Sequence, residues 1–232
     1  HRYVMPSPAS DQQRKNVSPA AVLRGFGDTF VSFFRKPGIG IAILFMLTYR
    51  LGESQLVKLA SPFLLDARDA GGLALSTGQV GFAYGTVGVI ALLLGGILGG
   101  MAISRHGLKK WLWPMALAIS LPNLVYLYMA YAMPENVFLV NACVAVEQFG
   151  YGFGFTAYTM YLILFSEGEY KTSHYAICTG FMALGMMLPG MISGWIQEMI
   201  GYRYFFIWVM ICCVPLFLVL PFIKVKSSGS ED

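Results

Sequence analysis

Two stretches of this sequence place ionisable groups where chemistry is expensive to avoid. In the run 47–58, Arg50 and Glu53 are three residues apart inside a long apolar segment. At 100° per residue, Arg50, Glu53, Ser54, Val57 and Ser61 share one helical face, with Lys58 at its edge. The spacing permits an ion pair. Such a pair can line a polar pathway or serve as a buried structural pair between helices. In the run 147–158, Glu147, Gln148, Tyr151, Phe155 and Tyr158 share a second face. Glu147 lies about ten residues, or about 15 Å, into its apolar segment. A carboxyl at that depth is costly to keep ionised. That suits a group that takes up and gives back a proton, although a hydrogen-bonded structural Glu has the same address. Gly150, Gly152 and Gly154 interleave with this face and allow close helix approach or local bending. His174 opens a later apolar segment, where an imidazole can titrate near neutral pH or simply be hydrated.

The elements that must carry these groups follow from composition. The 232 residues are 56% hydrophobic and 12% charged, against about 25% charged in soluble domains. Mean hydropathy is +0.62. A chain whose outer surface faces lipid needs no more charge than this. A crossing of about 30 Å of hydrocarbon takes about 20 mostly apolar residues. Six segments meet that length: 38–64, 78–103, 111–133, 137–165, 175–200 and 204–223. The breaks between them hold turn and polar residues, and the segments are too long and too evenly apolar for barrel strands. The expectation is an all-α membrane protein with a six-helix transmembrane bundle at 38–223. A linker at 1–37 and a tail at 224–232 flank it. Charges inside membrane helices cost roughly 2.5–3.5 kcal/mol on insertion scales, so Arg50, Glu53 and Glu147 are expected to face an interior.

Orientation follows from the cations. Of 16 Lys and Arg residues, twelve fall in the N-terminal stretch, the second and fourth inter-segment loops and the tail. Arg68 and Arg203 fall on the other side, and Arg50 and Lys58 lie within the first segment. By the positive-inside rule both termini are cytoplasmic. Ser18 and Pro19 read as a helix start. Val22, Phe26, Phe30, Phe33 and Phe34 then recur at helical spacing, as in an interfacial helix; a disordered tail with scattered aromatics is the alternative. No cleavable signal peptide is expected, because a long polar start precedes the first apolar stretch.

The second loop carries Gly99, Gly100, Ser104, Arg105, His106, Gly107, Lys109 and Lys110. It resembles the G-x-x-x-D-R-x-G-x-K/R-K/R loop of the major facilitator superfamily, with Ser104 in place of Asp. The 49–53, 62–64, 76–81, 147–158, 172–176 and 193–206 segments are similar to the C-terminal half of the muropeptide permease (AmpG) family, itself similar to acetyl-coenzyme A transporters. That family often has Gln where His174 stands. The resemblance implies a half-transporter whose N-terminal six-helix half is the missing partner. It implies proton-driven import of an anhydro-muropeptide or related sugar-containing solute across the bacterial inner (cytoplasmic) membrane. A sugar or acetyl-CoA carrier and a non-transporting assembly subunit are the alternatives. Glu53 and Glu147 are then the proton-coupling candidates. Arg50, Lys58, Gln148, Tyr151, Tyr158 and His174 are the pathway candidates, and Gly100, Ser104, Arg105, Gly107, Lys109 and Lys110 form the loop motif.

An enzyme is not expected, since neither H-E-x-x-H nor G-x-S-x-G occurs. Cys143, Cys178, Cys212 and Cys213 sit in apolar segments without metal-ligand spacing. No cofactor beyond the proton gradient, no metal and no nucleic-acid partner is expected; the lipid bilayer and a small-molecule substrate are.

Overall fold

The computed structural model describes residues 19–225, with side chains from Gly27 onward. The polar start before Pro19, with its Ser18 cap, and the tail from Lys226 lie outside the described residues. The chain divides into two units, His1–Ile39 and Gly40–Asp232. In the first, α1 (Pro19–Phe34) is followed by a turn in which the Ile39 N–H donates to the Lys36 carbonyl at 3.2 Å.

The second unit is helical throughout its described length apart from short connections. Its elements are α2 (Ile39–Thr48), α3 (Leu51–Leu65), α4 (Thr77–His106), α5 (Leu108–Ala132) and α6 (Val137–Phe165). A last helical run, Lys171–Val219, is two helices joined at a kink. Gly201 sits in its middle at φ 73°, ψ 166°, a conformation that residues with a Cβ rarely adopt. We therefore number 171–200 as α7 and 202–219 as α8.

Four helical stretches are long and apolar enough to cross a membrane: α4, α5, α6 and Lys171–Phe222, or five if Gly27–Phe34 and Ile39–Leu65, separated by a short break, are counted as one span. The sequence reading expects six. Two local features account for the difference. Lys171–Phe222 spans 52 residues, about 78 Å if straight against about 30 Å of hydrocarbon, and Gly201 divides it. Ile39–Leu65 is diluted by Arg50, Glu53, Ser54, Gln55 and Lys58 and is broken at Tyr49 and Arg50. Gly201→Val should lower the melting temperature of the detergent-solubilised protein by several degrees. The kink conformation would be strained by about 1–3 kcal/mol; an unchanged melting curve would show that the hinge tolerates a side chain.

Packing between helices follows from small residues, as expected where lipid is as apolar as the side chains. α6 is wedged between α4 and α5, its most extensive neighbours, and α7 and α8 together pack on α3. A Cβ at Gly152 would overlap the Leu92 carbonyl of α4, and one at Gly150 the Ala118 carbonyl of α5. One end of the bundle is filled by Phe63, whose ring lies 5.1 Å from Tyr202 and 5.0 Å from Phe206. Arg68 and Arg203 close this same end. Arg68 donates to the Met133 and Pro134 carbonyls at 3.0 and 3.1 Å, and Arg203 to Ala130 at 3.2 Å. All three acceptors are carbonyls at or just past the end of α5, where helix acceptors lack internal partners.

A buried charged pair at a helix break

The helix that the sequence reads as continuous over 38–64 stops at Thr48 and restarts at Leu51. Arg50 forms the joint, at φ −111°, ψ 15°. Ending α2 here leaves its last carbonyls without the usual acceptor role. The Tyr49 N–H donates to Phe45, and the Tyr158 hydroxyl of α6 donates to the Met46 carbonyl at 2.6 Å. The Tyr49 hydroxyl donates in return to the Gly154 carbonyl of α6 at 2.8 Å. The two tyrosine rings stack, with centroids 4.7 Å apart and planes 3° from parallel. On the other side Gly185 of α7 lies against the backbone of Met46 and Leu47. The break is therefore held from two helices.

Breaking the helix frees Arg50 and Glu53 to meet. Arg50 Nε donates to Glu53 Oε2 at 2.8 Å, and both residues are buried. Arg50 Nη2 donates to the Tyr151 hydroxyl at 2.9 Å. The guanidinium carbon lies 5.2 Å from the centre of the Tyr151 ring and 5.1 Å from that of Phe155, within the range where a cation is attracted to an aromatic face. Glu147 is buried one turn before Tyr151, and its Oε2 accepts from Gln148 Nε2 at 2.9 Å.

The structure thus brings Arg50, Glu53, Glu147, Gln148, Tyr151 and Tyr158 to one place. It does not bring Lys58 or His174 there. Lys58 is exposed and lies along Gly190 of α7. His174 is buried in the first turn of α7, with its ring 6.0 Å from Tyr170. It is eleven residues, about 16 Å of helix, before the Gly185 contact. In the loop motif Gly107 adopts φ 75° between α4 and α5, and Ser104 Oγ donates to the Met101 carbonyl. Arg105, Lys109 and Lys110 line a groove with Met160 and Leu164, at the C-terminal end of α6 and away from the charged cluster.

Sequence reasoning missed four contributors. Tyr49 was hidden beside the more conspicuous Arg50. Gln55 Oε1 accepts from Trp208 Nε1 of α8 at 2.8 Å. Tyr84 and Tyr126 share a hydrogen bond. Tyr84 lies in Ala83–Gly88, where α4 widens into a π turn, a feature frequent at functional sites. No glycine or proline marks the break at Tyr49 and Arg50; the polar density of 48–55 was its only trace.

No family model matches the chain. Curated relatives do. A protein of Rickettsia typhi named "Putative transporter AmpG 2" is 25% identical over 198 residues, covering 85% of this chain and 47% of that protein. The anhydromuropeptide permease of Escherichia coli K12 is 23% identical over 188 residues, covering 81% of this chain and 37% of the permease. The chain is similar to AmpG-type transporters. It spans about half the length, or less, of the curated relatives it matches. The relatives are named as transporters and permeases, in keeping with a membrane helix bundle that holds buried charge.

Proposed function

We propose that this chain is the C-terminal half of a proton-coupled secondary transporter of the major facilitator type. It imports anhydro-muropeptides or related sugar-containing solutes across the bacterial inner membrane. One observation carries the reading: a membrane helix broken at Arg50, with its ion pair to Glu53 turned toward Tyr151 of a second helix, which also carries Glu147. Discontinuous helices at mid-membrane are a recurrent way to build solute and ion sites in secondary transporters. Buried intramembrane charge has its commonest use along such pathways. The names of the relatives support the solute class.

Six spans follow if Ile39–Leu65 counts as one interrupted crossing and Gly201 separates two more. The partner is then an N-terminal six-helix half. Residues 1–37 form the linker to it, and both termini lie in the cytoplasm. Glu53 and Glu147 carry the proton coupling. Arg50, Gln148, Tyr151 and Tyr158 contact solute, and the Tyr151 and Phe155 rings beside Arg50 offer faces on which a sugar stacks. Lys58, on the exposed surface, is reserved for contact with the other half. The loop with Arg105, Lys109 and Lys110 latches the halves on the cytoplasmic side.

Vesicles carrying the full-length protein should accumulate labelled anhydro-muropeptide under an inward proton gradient. Glu147→Gln should reduce that gradient-driven uptake by roughly two orders of magnitude, as loss of a proton-transfer group does. Uptake that is unchanged at every pH would remove Glu147 from the coupling.

A further inference from the structure

We propose that Arg50 is a carboxylate-binding site, that Glu53 occupies it in the empty transporter, and that a carboxylate on the solute displaces Glu53 as Glu53 takes up one proton. The inference rests on the transport reading above and specifies the solute chemistry and the coupling ratio.

The geometry is that of a guanidinium only partly used. An Arg side chain has five N–H donors. One is given to Glu53 and one to Tyr151, which leaves three without a partner among the described residues. A guanidinium is suited to two-pronged binding of a carboxylate, yet Glu53 meets it through Nε alone, by a single oxygen. The i,i+3 spacing on one short segment holds that contact to a single hydrogen bond. An external carboxylate free to approach the Nη edge has the better geometry available to it. Tyr151 and Phe155 both meet the cation from the α6 side, with ring centroids 5.6 Å from each other.

Burial then links binding to the proton. Glu53 is buried and Arg50 is the cation that compensates it. The other groups facing it do not replace Arg50. α6 brings Glu147, Tyr151 and Tyr158. α8 brings Cys212 and Cys213, with Gly52 of α3 in close contact with Cys213. α7 brings Gly185 and Gly190, and Lys58 lies along Gly190 on the exposed side. α5 brings Ser120 and Asn123, both uncharged. When a solute carboxylate takes the guanidinium, Glu53 becomes an uncompensated buried anion, and such a group neutralises by taking a proton. One water-derived proton forms one O–H bond on Glu53 for each carboxylate bound, and the step reverses on release. Charge in the site is unchanged: a cation, an anion and a neutral acid replace a cation and an anion.

The test uses proteoliposomes with the full-length transporter and two probes. One is anhydro-N-acetylmuramyl tripeptide, and the other is the same solute with its carboxylates amidated. The unaltered protein should take up the carboxylate form with one proton per bound carboxylate, and the amidated form slower by roughly tenfold or more, as expected for loss of a charge-assisted partner. Glu53→Gln should lose gradient-driven uptake, and the solute counterflow it shows should vary less with pH than that of the unaltered protein. Gradient-driven uptake by Glu53→Gln equal to that of the unaltered protein overturns the inference, as does equal uptake of the two probes. If Glu53→Gln loses counterflow as well, the two-probe comparison on the unaltered protein decides. If the unaltered protein takes up neither probe, the permease reading falls and this inference with it.

Discussion

Arg50→Leu should abolish gradient-driven uptake and destabilise the protein by about 3–5 kcal/mol, the range for removing one partner of a buried ion pair. The loss arises less from the missing attraction than from what remains. Glu53 stays buried among helices, with no cation beside it. The Tyr151 hydroxyl also loses its donor, and the Tyr151 and Phe155 rings lose the cation beside them. The decisive comparison is with the double substitution Arg50→Leu with Glu53→Leu. Replacing a whole buried pair by apolar residues of similar volume is often neutral or stabilising. The double variant should therefore recover most of the melting temperature in detergent while transport stays lost. Equal destabilisation of the single and double variants would show that the pair does not neutralise itself in the folded bundle. Recovery of transport in the double variant would show that neither charge serves the pathway.

Why this pair could be found from sequence, and its surroundings could not, has a physical explanation. A charge within an apolar run is conspicuous because hydrocarbon penalises it wherever it points. Helical periodicity then places Glu147, Tyr151 and Tyr158 on one face without knowledge of the fold. The span over 137–165 was similarly legible: Val137–Phe165 begins and ends where the apolar pattern does. The break at Tyr49 and Arg50 was not legible. Nothing local demands it; it is held by Tyr158 reaching the Met46 carbonyl from 112 residues away and by Gly185 against Leu47. His174 was misjudged for a related reason. Its place at the start of a helix suggested water, but its environment depends on where that end lies in the bundle. Lys58, at the edge of the charged face, was grouped with Arg50 by angle alone. Five residues beyond Glu53 it has already turned toward α7 and the surface.

Gly152→Ala and Gly154→Ala should each weaken both stability and transport, because α6 holds the site only while it is pressed between its neighbours. At Gly152 an added Cβ would meet the Leu92 carbonyl and the Gly96 nitrogen of α4. At Gly154 it would lie 2.5 Å from the Met115 carbonyl and 2.6 Å from Ile119 Cβ of α5. These obstacles are largely backbone, so no rotamer change relieves them and the helices must separate. Overpacking of this kind typically costs 1–3 kcal/mol, and about the upper end is expected here. Gly180→Ala is the control: nothing lies within 4 Å of its added Cβ. In a helix interior Ala is preferred to Gly by up to about 1 kcal/mol, so its melting temperature should hold or rise. The consequence for function is geometric. Glu147 and Tyr151 ride on the same helix, and the Tyr49 hydroxyl is anchored on the Gly154 carbonyl itself. Displacing α6 toward α4 by even part of an ångström lengthens the Arg50–Tyr151 and Tyr158–Met46 hydrogen bonds, which are 2.9 and 2.6 Å as folded. Gly154→Ala should therefore lose uptake out of proportion to its fall in melting temperature. Gly152→Ala, acting on the α4 side, should lose stability first. Equal retention of uptake in both would mean that the pathway does not depend on the position of α6.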